Sequence, residues 1–139
     1  MKILVCFAFL LPITVAAQTK TDYQHVMAKF QRFYNAGQGD NIHAMFKPAV
    51  QLATASHPLW TNESNANLLK QFGALKSFTF LGVDKTDPSN VYVFQTFFSK
   101  AGAKTTSLTL DENSRLGTFR FITTSEGIDD LLKKGKASR

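Results

Sequence analysis

Cysteine is nearly absent from this chain. Its one thiol, Cys6, lies inside the apolar run 3–11 rather than at a site where a lipid could be attached after cleavage. That run, the charged Lys2 before it and the small Val15-Ala16-Ala17 after it predict a secretory signal over residues 1–17, with Gln18 as the first mature residue. An uncleaved anchor is the alternative, but a membrane-spanning helix needs about 20 apolar residues, and Pro12 and Gln18-Thr19-Lys20 close this run sooner. The expected mature chain is therefore exported, periplasmic or secreted, and free of cysteine. That excludes a disulfide, a thiolate nucleophile and a cysteine metal site. Ser-x-x-Lys and Gly-x-Ser-x-Gly are lacking too, so neither common serine-hydrolase signature is present.

Clustered charge is equally scarce. The net charge is +6, yet Lys133, Lys134, Lys136 and Arg139 crowd the last seven residues. Residues 18–132 carry eleven Lys/Arg against ten Asp/Glu, which is close to neutral. A basic tail on a neutral body is not a phosphate-tracking groove, so no nucleic-acid partner is expected. The three histidines, His25, His43 and His57, fall on three separate elements without a second ligand at helical or turn spacing. Neither a metal nor a cofactor is implied. Asp129 and Asp130 are adjacent and would point apart on a helix, next to Lys133 and Lys134.

What the chain has in quantity is phenylalanine, thirteen of them. The stretch 106–123 organises the rest. Leu108 and Leu110 alternate with Ser107 and Thr109, and Phe119 and Phe121 alternate with Thr118 and Arg120, on either side of Asp111-Glu112-Asn113-Ser114. Period two around a turn cluster predicts a β-hairpin with one buried and one wet face. Gly117 within the second run suggests a bulge. Upstream, residues 76–83 and 91–98 read as two further strands. Phe78 and Phe80 face inward on the first, while the second is apolar on both faces and its inward set stays open.

Before residue 75 the period is helical. Residues 22–34 place Tyr23, Val26, Met27, Phe30, Phe33 and Tyr34 on one face, and Gly37 supplies a left-handed stop. A short second helix begins at Asp40 as its cap, carries Ile42, Met45 and Phe46 inward, and ends at Pro48. Residues 49–56 are ambiguous. A third helix spans 63–72, capped by Thr61 or Asn62, with Leu68, Leu69 and Phe72 inward and Gly73 closing it. Helices followed by strands predict an α+β domain over residues 18–124, three helices packed on a curved four-stranded antiparallel sheet. Residues 125–139 form the basic tail, with a final helical turn at 128–134.

The segments FQRFYNAGQGDNIHAMF, QFGALKSFTFLG and LTLDENSRLGTFRF resemble an uncharacterised bacterial family, the domain of unknown function 3887. Leu108, Leu110, Asp111, Leu116, Phe119 and Phe121 match its closing hairpin, and the likeness spans about residues 23–122. It implies the cone-shaped nuclear transport factor 2-like fold, shared with ketosteroid isomerase and scytalone dehydratase. It also implies an accessory module, since such domains often precede a serine-hydrolase or peptidase domain. Enzymes of that fold use a carboxylate or histidine base deep in the cone. Here no Asp or Glu is expected inside a strand, so the enolising base is missing and catalytic residues are not assigned.

Three functions from different classes stand: an exported non-catalytic module binding a small apolar ligand or peptide, an isomerase- or dehydratase-like enzyme, and a structural homodimer. The homodimer would pair through the outer sheet face bearing Thr79, Thr118 and Arg120. Trp60, following His57-Pro58-Leu59, is the one large aromatic in a loop and the first pocket candidate, its alternative role being to pin the third helix. His57, Tyr34, Tyr92 and Gln95 are the other pocket candidates. The aromatic strand positions line a cavity or fill a core; the pattern alone is compatible with both.

Overall fold

The computed structural model describes residues 22–85 and 88–122. The expected signal at 1–17 and the tail at 125–139 lie outside them. The first helix, α1 (Asp22–Asn35), buries Tyr23, Val26, Met27, Phe30 and Tyr34 as its period requires, with Phe33 partly buried. It stops in a Schellman turn. Gly37 adopts φ 72°, its N–H donates to Tyr34 O at 3.1 Å, and the Gln38 N–H donates to Phe33 O at 2.9 Å.

Next comes α2 (Gly39–His43), whose cap residue Gln38 makes no side-chain capping bond. Asp40 was expected to cap this helix. Instead its carboxylate reaches the start of α4 (Asn62–Phe72), accepting from Asn62 N–H at 3.2 Å and from Asn62 Nδ2 at 2.9 Å. Asn62 Oδ1 in return accepts from the Asp40 N–H at 3.1 Å. Each helix start thus supplies an acceptor to the other's orphan donor. Thr61 then caps α4 through a reciprocal pair with Ser64, at 3.0 and 2.9 Å.

Between these helices the chain forms one more, α3 (Pro48–Ala53), so there are four helices among the described residues rather than three. Pro48 opens α3 at its first turn instead of merely ending α2. Its fixed φ suits a first helical position, the preceding Lys47 is extended as a residue before proline must be, and the Lys47 N–H donates to Leu116 O at 2.9 Å.

The sheet is an antiparallel meander in the order β1 (Leu75–Asp84), β2 (Val91–Phe98), β3 (Gly102–Leu110), β4 (Leu116–Ile122). β1 extends to Asp84, which pairs with Val91 and is buried. This corrects the expectation that no carboxylate falls within a strand: the ladder runs on for as long as β2 offers a partner. The inward set of β2, undecided from pattern, is Tyr92, Phe94, Thr96 and Phe98, with Gln95 and Phe97 exposed on the other side. Single extra residues interrupt the pairing at Lys76, Leu81 and Gly117, the last as anticipated.

α1 lies along the inner face. Tyr23 stacks on Phe80 and Tyr92 with ring centroids 4.4 and 4.9 Å away, and Phe30 stacks on Phe119 at 4.2 Å. Its far end is fastened to the start of β1. Asn35 Oδ1 accepts from Leu75 N–H at 2.8 Å, and Asn35 Nδ2 and Gln31 Nε2 both donate to Leu75 O at 2.9 Å.

Gly39 is the tightest approach between helices. A Cβ there would lie 1.9 Å from Thr61 O and 2.4 Å from Thr61 C, against backbone that cannot turn aside. Gly39→Ala is expected to cost about 1–3 kcal/mol in urea unfolding by forcing α2 from α4. Gly82→Ala, where a Cβ meets nothing within 4 Å, should stay within about 0.5 kcal/mol of the parent. Equal losses at both sites would refute the close-approach argument.

Candidate functional site

A cavity of about 500 Å³ lies between α4, the Trp60 loop and the inner side of β4. Its apolar wall is Phe46, Leu59, Trp60, Leu68, Phe119 and Phe121. Its polar rim is Ser64, Asn67 and Gln71, which share one face of α4 with Leu68 at the spacing i, i+3, i+4, i+7. Among the described residues, none lining it is Asp, Glu, His, Lys, Arg or Tyr.

Each wall is held from a different element. Phe119 and Phe121 point inward because of the β4 register. Phe46 is bridged to Leu116 at the sheet edge. Trp60 is positioned from both sides: the Asp40–Asn62 bonds close the chain around it, and its ring meets Phe30, Phe119 and Phe121 edge-on at centroid distances of 5.5, 6.1 and 6.3 Å. It is 8 % exposed, so one surface joins the core while another faces the cavity. Leu59, half exposed beside it, stands at the opening.

Of the five pocket candidates, the cavity includes Trp60 alone. Tyr34 is fully buried and donates its hydroxyl to Gly73 O at 3.0 Å. Its ring lies 5.6 Å from that of Phe98, and burial pushes the phenol up to about 12. The Tyr92 ring, partly buried, stacks on Tyr23 at the start of α1, outside the cavity lining. His57 is exposed, its Nδ1 3.2 Å from Ser56 Oγ, and Gln95 is exposed on the outer face opposite Thr79 and Thr105. The physical reasons are local. The extended His57-Pro58 step carries His57 outward before Trp60 turns in, and Gln95 alternates with the inward Phe94 and Thr96.

Sequence reasoning assigned Phe46 and Leu68 to a packed core and passed over Leu59, Asn67 and Gln71. A signal existed in α4, whose 64/67/68/71 stripe is three-quarters polar where a fully packed helix would be apolar. In α4 the fully buried side chain is Asn65, which donates to Tyr34 O at 2.9 Å, whereas Leu68, Leu69 and Phe72 are half-buried.

Among the described residues no group of three or more His, Cys, Asp or Glu is placed to hold a metal, and no helix is long and apolar enough to cross a membrane. No family model, curated protein or solved structure matches this chain.

Tyr34 makes stability depend on alkaline pH. Below its ordinary value of 10.0 the phenol is protonated in folded and unfolded chains alike. Between that value and about 12 the unfolded chain releases the proton while the folded chain keeps it, so stability falls as pH rises through this window. Tyr34→Phe should cost about 1 kcal/mol at neutral pH by leaving Gly73 O without its donor. It should also remove up to about 1.4 kcal/mol per pH unit of alkaline slope. Parallel urea titrations of parent and variant from neutral pH upward check this; identical slopes would contradict it.

Proposed function

We propose that the chain is an exported, non-catalytic binding module whose cavity beside Trp60 takes a small apolar ligand or an apolar peptide side chain. The observation that carries this reading is the cavity's make-up: aromatic and aliphatic walls, a few polar rim groups and, among the described residues, no titratable side chain. Pockets of about 300–1,000 Å³ with this mixture are typical of small-molecule sites. Proton-transfer chemistry needs an ionisable group within hydrogen-bond reach of the substrate, which these walls do not provide. Tyr34 and Tyr92, the phenols an isomerase or dehydratase of the expected fold would call on, do not line this cavity.

The wider setting belongs to the same proposal. Four helices against a bulged antiparallel sheet are compatible with the nuclear transport factor 2-like cone and with membership of the domain of unknown function 3887 family. The apolar start of the chain supports export. An accessory role beside a cell-envelope hydrolase accords with a module that binds without reacting.

Trp60 is the single tryptophan, so its emission reports on the cavity directly. Titration with the apolar fluorophore N-phenyl-1-naphthylamine should give saturable energy transfer from Trp60. Leu68→Glu, at a half-buried wall position, should weaken that binding at least about tenfold, equivalent to roughly 1.4 kcal/mol, while the folded far-ultraviolet spectrum persists. Absence of saturable transfer in the parent, or undiminished affinity in a folded Leu68→Glu, would overturn the reading.

A further inference from the structure

We infer that the opposite side of β4 carries a second site, one for a phosphate-type oxyanion. A separate concavity of about 340 Å³ lies on the outer sheet face, where Lys47 at the foot of α3 and Arg120 on β4 flank a floor of Ser107, Thr109 and Thr118. Two cations and four hydroxyls line it, the fourth from Ser89, and among the described residues no carboxylate does.

The floor is built by register. Ser107 lies opposite Arg120 and Thr109 opposite Thr118, so all four project to the same side of the β3–β4 ladder. The two threonine hydroxyls are 3.0 Å apart, which aligns one as donor to the other and frees a proton for a ligand. Gly117 contributes no side chain to the same hollow; a Cβ there would come within 2.7 Å of Thr109 Oγ1. Lys47 is fixed at its backbone by donating to Leu116 O, so its stem leaves the chain at the rim.

Neither cation has a carboxylate partner among the described residues, where the ion pair formed is Asp111 with Arg115. The nearest acid along this row, Asp84, sits opposite Val91, which in turn sits opposite Thr109. Two strand spacings of about 4.8 Å place it about 10 Å from Thr109, and it already has a partner of its own. Two cations without a carboxylate partner among the described residues, beside convergent hydroxyls, favour a compact anion with several acceptor oxygens. Arg and Lys bind phosphate oxygens through charge-assisted hydrogen bonds, which are stronger than neutral ones.

The test is a ¹⁵N-detected titration of the purified chain with inorganic phosphate at constant ionic strength. Saturable shifts are expected at the amides of Ser107, Thr109, Thr118 and Arg120 and at Arg120 Nε. Arg120→Gln and Lys47→Gln should each weaken binding by roughly tenfold. Lys29→Gln, which removes an exposed cation 5.8 Å above the Phe33 ring, should change nothing. A second arm with phenyl phosphate separates the sources: matching affinity means a phosphate carried on a larger molecule, and loss of binding means the free ion. Shifts that stay linear and spread over the surface, or equal affinity in Arg120→Gln and the parent, would overturn the assignment.

Discussion

The joint at Leu116 is the constraint on which both cavities depend. Two backbone hydrogen bonds of 2.9 Å, from Leu116 N–H to Met45 O and from Lys47 N–H to Leu116 O, dock residues 45–47 in parallel on the outer edge of β4. They satisfy the first peptide groups of an edge strand and stitch the helical layer to the last strand of the sheet. Phe46, between the two bonds, falls toward the inner cavity. Lys47, one residue on, falls toward the outer one. A single extended step in the chain therefore gives an apolar wall to one side and a cation to the other.

The inner side keeps an opening although the aromatic core runs up to its wall, where Phe30 stacks on Phe119 and meets Trp60 edge-on. Phe30, Tyr34, Phe94 and Phe98 are fully enclosed, and Tyr23, Phe80 and Tyr92 stack near the start of α1 and join them through Phe94, 6.0 Å from Tyr23 and 5.4 Å from Phe80. Offset and edge-on ring pairs contribute about 0.5–1.5 kcal/mol each beyond the burial of their area. α4 adds to this core at its far end through Phe72, whose ring meets those of Phe98 and Phe121 edge-on at 5.4 and 5.8 Å. It is tethered at its start by the Asp40–Asn62 bonds and the Thr61–Ser64 box, and along its length by Asn65 reaching the Tyr34 carbonyl. Held by polar bonds at named points, it leaves space between its 64/67/68/71 face and β4.

Much of this was legible in the sequence because it is local. The helical period of residues 22–34, the stop at Gly37, the cap at Thr61 and the two-residue period around Asp111 each follow from neighbours within a few positions. What escaped depends on partners far along the chain. Asp40 looks like a cap for its own helix, and only the approach of Asn62, 22 residues later, turns it outward. Pro48 looks like a stop, yet it is the first residue of α3, beside the bond from Lys47 to Leu116. Tyr34 and Tyr92 look like polar handles for a pocket, yet the Tyr34 hydroxyl is bonded to Gly73 O and the Tyr92 ring stacks on Tyr23. Trp60 was recognisable because a large aromatic after a His-Pro-Leu turn has no local reason to be there, whereas Leu68 resembles any packed helical leucine.

The same logic explains why β4 has two chemistries. Leu116 is buried, and strict alternation from it would send Thr118 and Arg120 inward and Phe119 and Phe121 outward. The extra residue at Gly117 shifts the phase by one, so that Thr118 pairs with Thr109 and Phe119 with Leu108. A one-residue change in register exchanges the two faces of a strand. Burying Arg120 in the aromatic layer without a partner would cost several kcal/mol, more than the strain of a bulge. Glycine suits the bulge because the Thr109 hydroxyl leaves no room for a Cβ. The bulge thus sets which side of β4 is greasy and which is cationic, and it does so from within the hairpin, before any helix is added.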